Sequence, residues 1–382
     1  MASASSCCRG RKDGGPARPG RCSALKRKTV FHLARIAALF LLIPSLGWAA
    51  ATPAHAQDAR AQAQEELPPE PPLGLDDVPV PENNPMTRPK VELGRLLYFE
   101  KRFSGDGKVS CATCHMPRRG FSNARQYGTG FGGRLTLRNV PTVINAAYNE
   151  SQFWDGRAAS LEEQAKGPIL HPSEMASSEE KIVRTLGAIP EYRKRFTEAF
   201  GSPGISLERV VQAIATFERT LLSGNSPFDR WKYRGDESAL SPRAIRGFEV
   251  FKAKGNCVKC HLVDEFSAPF TDDKFHNLGI GMDKKPLQIG REKITGKTKD
   301  RGKFKTPTLR HITRTAPYMH DGRFNTLEEV VDFYEKGGHP NPHLDPDMKP
   351  LKLTKTEKED LIAFMGALTG DLPEVKAPEL PK

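Results

Sequence analysis

Hydrophobic and polar positions along the chain alternate mostly at helical spacing. Val91-Glu-Leu-Gly-Arg-Leu-Leu-Tyr-Phe99 predicts a helix at the start of the folded region. Ser206 precedes Leu207, Val210, Val211, Ile214, Phe217 and Leu221, an amphipathic helix with an N-cap. Ser241-Pro242 supplies a cap followed by proline at the first helical position, and Ile245, Phe248 and Phe251 form the apolar face behind it. Thr354 and Glu357 make a capping box for a helix carrying Leu361, Ile362, Phe364, Met365 and Leu368, closed by Gly370. Runs of strand character are scarce. Long Gly-, Pro- and Arg-rich stretches, 116–145 and 264–320, separate the helices. Upstream, residues 57–90 are rich in Ala, Gln and Glu and then in proline, with eight prolines from Pro68 to Pro89 and no apolar period, which predicts a flexible extended tail.

The chemistry is concentrated in two copies of one motif, Cys111-Ala-Thr-Cys114-His115 and Cys257-Val-Lys-Cys260-His261. Cys-x-x-Cys-His is the attachment signature of c-type haem: each sulfur adds across a vinyl group and the adjoining histidine reaches the iron. A zinc site would need a further Cys or His pair at short spacing, and a thioredoxin-like motif needs no histidine at that offset. The remaining cysteines, Cys7, Cys8 and Cys22, all lie at the extreme N-terminus, so no disulfide framework is left. Two covalently bound c-type haems follow, one to a domain. The fold class is mainly α, two cytochrome c-like haem domains with long irregular loops, divided as residues 91–235 and 236–382. The boundary is drawn near 225–240, where Ser223-Gly-Asn-Ser-Pro-Phe228 interrupts the helical pattern.

Residues 1–56 read as a secretory signal peptide. A long basic start precedes an apolar run from Val30 to Trp48, and Ala54-His55-Ala56 fits a cleavage site. His32, Arg35 and Pro44 interrupt the run and make it a poor permanent span, so membrane association is expected only through an uncleaved signal. Export suits the haem reading and points to a bacterial periplasm. The formal charge of +12 is largely the leader's. Residues 1–56 hold nine of the 58 Lys and Arg and one of the 46 Asp and Glu, leaving 49 against 45. Nothing in that balance signals a nucleic-acid partner.

Further strings extend the picture. Arg138-Asn-Val-Pro-Thr-Val-Ile-Asn-Ala-Ala-Tyr148, Gln152-Phe-Trp-Asp-Gly-Arg-Ala158, Gln164-Ala-Lys-Gly-Pro168 and Pro172-Ser-Glu-Met175 follow the first motif. Lys305-Thr-Pro-Thr-Leu-Arg310 and Thr315-Ala-Pro-Tyr-Met-His-Asp-Gly322 follow the second. Over residues 91–370 the chain resembles the bacterial dihaem cytochrome c peroxidases and their MauG-type relatives. The resemblance implies a peroxidatic first haem with His115 as its proximal ligand and an electron-transfer second haem with His261. It implies a tryptophan between the haems, matched by Trp154, and a distal glutamine and glutamate, matched by Gln164 and Glu174. It also implies calcium between the haem domains, at Asn139 and the backbone of Thr315 and Pro317. Without it, Trp154 reads as a core residue, Glu174 as a loop carboxylate and Asn139 as a turn residue.

Two departures from the ordinary peroxidases stand out. Their first haem is capped at rest by a histidine whose place falls near Phe131, but Gln126-Tyr-Gly-Thr-Gly-Phe-Gly-Gly133 has none. The first haem is therefore expected to be open and to react with peroxide without prior half-reduction. The methionine ligand of the second haem is replaced by Tyr334, as in MauG, with Met319, Met282 and His320 as rivals. One feature separates the chain from MauG: a surface tryptophan two residues before the second motif is here Gly255. The function expected is reduction of hydrogen peroxide with electrons from a small cytochrome c or cupredoxin. The alternatives are a MauG-like oxidation of a partner protein and a non-catalytic dihaem electron carrier.

Overall fold

The computed structural model describes residues 67–382, which belong to one compact unit spanning 59–382. The leader and its cleavage site lie outside the described residues. The helices are α1 (Arg88–Phe99), α2 (Cys111–Cys114), α3 (Leu161–Leu170), α4 (Glu179–Gly187), α5 (Pro190–Phe200), α6 (Leu207–Glu218), α7 (Pro227–Arg234), α8 (Pro242–Lys252), α9 (Glu292–Thr295), α10 (Leu327–Glu335) and α11 (Lys355–Gly366). Strand content among the described residues is one antiparallel pair of two residues each, β1 (Phe275–His276) with β2 (Phe304–Lys305). The mainly helical expectation holds. No helix among the described residues is long and apolar enough to cross a membrane.

Two helix pairs organise the interior, and each is permitted by a glycine. α1 lies against α6 where Gly94 meets Ala213; a Cβ on Gly94 would stand 1.9 Å from the Ala213 carbonyl oxygen. α8 lies against α11 in the same manner, with Gly247 facing the Asp360 carbonyl oxygen, again 1.9 Å from where a Cβ would be. Adding even one methyl group at such a crossing forces the backbones apart, and overpacking of that kind costs about 1–3 kcal/mol. The predicted caps are in place: Ser206, Ser241 and Thr354 each accept from the amide three residues on.

Buried apolar residues gather into two large clusters. One includes Leu93, Leu97, Phe103, Tyr192, Phe196, Val210, Ile214 and Phe217, around α1 and α6. The other includes Phe228, Phe248, Phe251, Phe270, Phe364 and Leu368, around α8 and α11. Phe228 is the hub of the second, within 5.0–6.4 Å of five other aromatic rings. The residues after α11 cross to the first cluster, where Leu372, Val375 and Leu380 pack.

The expectation of a flexible tail over 57–90 needs correction for its described part. Residues 67–87 lack regular structure, as their prolines require, but they are fastened along their length. The Gly74 carbonyl accepts from Arg310 Nη2 (2.7 Å) and from the Ala268 amide (3.0 Å). Asp76 Oδ2 accepts from Ser267 Oγ at 2.8 Å, and Asn84 is buried, donating to Glu162 and to the Gln212 carbonyl. Proline removes donors without preventing such side-chain and carbonyl contacts. The 223–228 stretch, read as an interruption, leads directly into α7: Ser226 caps it and Pro227 opens it.

Candidate active site

Each Cys-x-x-Cys-His motif forms a single tight turn that ends at its histidine. In the first, Ser110 and Thr113 make a capping box, and the His115 amide donates to the Cys111 carbonyl at 2.8 Å. In the second, Cys257–Lys259 is a 3₁₀ turn and the His261 amide donates to the Cys257 carbonyl at 2.9 Å. None of the four sulfurs is tied up in a disulfide. His115 Nδ1 faces the carbonyls of Pro141 (3.0 Å) and Phe121 (3.3 Å), and His261 Nδ1 faces the Phe270 carbonyl (2.8 Å). A carbonyl only accepts, so Nδ1 carries the proton in both rings and Nε2 presents its lone pair. Burial lowers the pKa of both imidazoles and keeps them neutral. Two cysteines beside a histidine with an oriented Nε2 lone pair fit a covalently attached haem, and the second-sphere carbonyl is the usual device for fixing such a ligand.

Around the second motif lies a cavity of about 290 Å³ with mainly apolar walls. Cys257, Cys260, His261, Trp154, Phe251 and Tyr334 all line it. α10 presents Leu327, Val330, Val331 and Tyr334 to it, the spacing of one helical face. Burial pushes the Tyr334 phenol well above its ordinary pKa, with Cys257 and Cys260 acting in the same direction. Of the rival ligands, Met319 and His320 also stand on the wall, and Met282 does not. His320 is otherwise engaged: its Nε2 pairs with Gln288 Oε1 at 2.6 Å and its ring stacks on Phe304. Met348 and Met365 also reach the cavity, and nothing in their sequence spacing marked them out.

The residues expected around the first motif come from α3 and the turn beyond it. Pro168 within α3 lacks an amide proton, and the helix ends two residues later. The chain then folds back, with the Glu174 amide donating to the His171 carbonyl (3.0 Å) and Met175 to the Pro168 carbonyl (3.0 Å). The Glu174 carboxylate is about 29% exposed and lies 3.7 Å from His171 Nδ1. Burial raises its pKa, while His171 and Arg157 pull it down. Glu174 acts electrostatically on Cys114, and the loop 126–133 touches both residues, so the carboxylate stands close to the first motif. Gln164 is half-buried on α3, and its side chain makes no hydrogen bond among the described residues.

The loop 126–133 is pinned over this turn. The Phe131 amide donates to the Glu174 carbonyl at 2.6 Å. Gly130 approaches so closely that a Cβ there would stand 2.2 Å from the Ser173 carbonyl oxygen. Gly128 faces Cys114 Sγ, 3.3 Å from where its Cβ would be. The histidine-free segment is thus the one that lies between the first motif and Glu174.

Trp154 ties the chain at residue 139 to the segments at 305 and 320. Its Nε1 donates to the Asn139 carbonyl at 2.9 Å, its own carbonyl accepts from the Lys305 amide, and its ring meets His320 edge-on. Asn139, Thr315 and Pro317 line the same cavity wall. Asn139 Nδ2 donates to the carbonyls of Arg125 and Gln126. Asn139 Oδ1 and the carbonyls of Thr315 and Pro317 accept no hydrogen bond among the described residues. Oxygens of this kind, a side-chain amide and two backbone carbonyls, are ligands that a hard cation takes.

Sequence reasoning missed His276. It bridges Asp345 (2.7 Å) and Asp272 (3.0 Å) and lies beside Cys260. A lone histidine fifteen residues past a motif carries no signal of its own. Cys260 belongs to the haem motif, and His276 reads as a strut that ties the 272 and 345 segments to the cavity edge.

Fold and site together define a dihaem c-type cytochrome of the peroxidase kind. A model of the di-haem cytochrome c peroxidase family matches residues 88–238. The methylamine utilization protein MauG of Methylorubrum extorquens is 44% identical over 309 residues, covering 80% of this chain and 85% of that protein. Cytochrome-c peroxidase IdrP1 of Pseudomonas sp. (strain SCT) is 38% identical over 365 residues, 87% of this chain and 92% of that protein. Cytochrome c551 peroxidase of Nitrosomonas europaea is 38% identical over 303 residues, 79% and 85%. Among solved structures, a MauG-like protein associated with microbial copper homeostasis superposes with a TM-score of 0.70 at 34% identity, covering 79% of this chain and 95% of that one. The chain belongs to the di-haem cytochrome c peroxidase family and is an oxidoreductase of that type.

Proposed function

We propose that the protein reduces hydrogen peroxide to water with electrons from a small cytochrome c or cupredoxin, in the periplasm, after export on the signal peptide 1–56. The observation that carries this reading is the half-buried Glu174 carboxyl beside the first motif, under a loop that holds no histidine to block the site. Residues 91–235 form the peroxidatic haem domain and 236–382 the electron-transfer domain; the two apolar clusters follow that division except at α7, whose Phe228 packs in the second, and at Leu372, Val375 and Leu380, which pack against the first. Cys111 and Cys114 attach the first haem and Cys257 and Cys260 the second, with His115 and His261 offering Nε2 to iron. Tyr334 is the distal ligand of the second haem, and one calcium ion sits at Asn139, Thr315 and Pro317.

When bound, the haems supply the two electrons that cleave the O–O bond. The chain does the rest. Glu174 takes the proton from one peroxide oxygen and returns it to the other, which leaves as water. Its raised pKa keeps it able to exchange protons nearer neutrality than an exposed carboxylate could. The Gln164 amide, which has no other partner among the described residues, orients the peroxide by donating to it. Trp154, whose indole bonds to the Asn139 carbonyl and lines the cavity of the second motif, carries electrons between the domains. The balance is one peroxide, two electrons and two protons to two waters.

A second reading, peroxide-driven oxidation of a partner protein as in MauG, is favoured by Tyr334 on the cavity wall. Gly255 opposes it, since the surface tryptophan of that route is missing. Steady-state turnover decides. With reduced cytochromes c and cupredoxins as donors, peroxide-dependent oxidation at well over one turnover per second is expected, within the usual enzymatic range. Rapid reaction with peroxide but no turnover with any such donor would favour the second reading.

A further inference from the structure

The mechanism above leaves one buried acid unused. Glu218 ends α6, a helix whose other buried positions are almost all apolar. It is only 4% exposed, and its Oε2 has no hydrogen-bond partner. Its neighbour Phe217 packs edge-on against Tyr98 at 5.2 Å, and the Tyr98 hydroxyl donates to the His115 carbonyl at 3.0 Å. Glu218 also bears electrostatically on Tyr98 and on Cys111, raising both. Its neighbour Phe217 thus packs on the residue that holds the backbone of the first motif's histidine, and Glu218 itself lies within electrostatic reach of that residue and of Cys111. Glu174 bears instead on Cys114.

A carboxyl in that position has two states of unequal cost. Ionised, it is a nearly unsolvated charge with no hydrogen bond to Oε2; protonated, it is a neutral group that burial tolerates. The groups that face it are Tyr98 from α1, Cys111 from α2 and Glu162 from α3, together with its own neighbour Arg219. Arg219 does not pair with it. The guanidinium is bound to Glu162, Nη1 to Oε1 at 2.8 Å and Nη2 to Oε2 at 3.1 Å. Lys90 is directed to Asn84 and the Pro85 carbonyl. Burial raises Glu218 to about 8, Arg219 pulling it down and Glu162 pushing it up.

We propose that Glu218 is a redox-linked proton site of the first haem: it binds one proton when that haem is reduced by one electron and releases it on oxidation. The electron comes from the donor protein or, in the test below, from a mediator. The proton comes from water and binds Glu218 Oε2, and no other bond forms or breaks. The driving force is electrostatic. An electron added close by removes one positive charge from a poorly screened region, which favours the protonated carboxyl. The reverse follows by linkage: protonating Glu218 makes reduction easier. Glu218 acts through charge and does not touch peroxide, so it is a positioning residue for the electron and its proton.

The test uses the holoprotein with both haems attached and no peroxide. Mediated redox titration of the first haem across pH 6–9 is expected to show its reduction constant falling by up to about tenfold per pH unit within a window near the carboxyl's pKa. Glu218→Gln keeps the size and removes the proton, and its constant is expected to be flat across that window. An unchanged slope in Glu218→Gln, or no slope in the wild type, overturns the proposal. Infrared difference spectra of the wild type need no variant. Reduction is expected to add a protonated-carboxyl C=O band that shifts in D2O; its absence overturns the proposal too. Neither measurement involves peroxide, so a failure of the peroxidase reading and a failure of this one are told apart.

Discussion

Glu174→Gln is expected to slow the reaction of the oxidised protein with peroxide by about 10²–10⁴-fold, the usual loss when a general acid–base group is removed. Gln has the same length and still fills the turn after α3, whose geometry rests on backbone bonds from Glu174, Met175 and Phe131. Both haems should therefore stay attached, and the haem absorbance per protein should not change. The pH profile adds a second readout. Burial raises the Glu174 pKa, so the carboxylate needed to accept a proton is lost as pH falls through that raised value. The wild-type rate should fall on the acid side, and the variant should lack that limb. Stopped-flow absorbance at several pH values measures both. A variant as fast as the wild type would mean that Glu174 is only a loop carboxylate.

Tyr334→Phe is expected to remove the distal ligand of the second haem and replace its low-spin EPR signal. Tyr334→Met is expected to raise that haem's potential by a sizeable part of the roughly 0.8 V range that axial ligands span, because a thioether favours the ferrous state and a phenolate the ferric. The case rests on α10: Leu327, Val330, Val331 and Tyr334 share one helical face, and that face lines the cavity with His261. The rivals on the same wall are Met319, Met348 and Met365. Any of these would give the wild type a methionine–iron charge-transfer band that survives Tyr334→Phe. Such a band, with an unchanged spectrum in the variant, would remove the MauG-like half of the account.

Much of the fold was legible because helices announce themselves by period and cap. α6, α8 and α11 follow from Ser206, Ser241 and Thr354 and the apolar faces behind them. The two motifs were legible for another reason, since attachment chemistry fixes residue type and spacing together. The proline-rich run 67–87 was misjudged because its anchors are long-range. Arg310 reaching the Gly74 carbonyl, and Asn84 reaching Glu162 and Gln212, leave no local pattern. The glycine crossings at Gly94 and Gly247 were equally silent. A glycine inside a helix reads as a weakness until the carbonyl it faces is known.

Within the site, Glu174 and Trp154 were recognisable only through the strings around them, and the structure adds reasons of its own. His171, extended as the residue before Pro172, sets where α3 ends and hence where Glu174 lies. The Asn139 carbonyl fixes the Trp154 indole. Glu218 carried no signal at all, because a glutamate at the end of an amphipathic helix is ordinarily a solvated charge. Its burial depends on how α1, α2 and α3 meet there.

The central claim is that the first haem stands open beside Glu174 while the second is closed by a side chain of the cavity wall. EPR of the untreated, fully oxidised protein tests it most directly. The account predicts one high-spin ferric signal, from the haem under the histidine-free loop 126–133, beside one low-spin signal from the second haem. Two low-spin signals, with no high-spin component, would contradict it and point to a ligand such as His171 on the first iron.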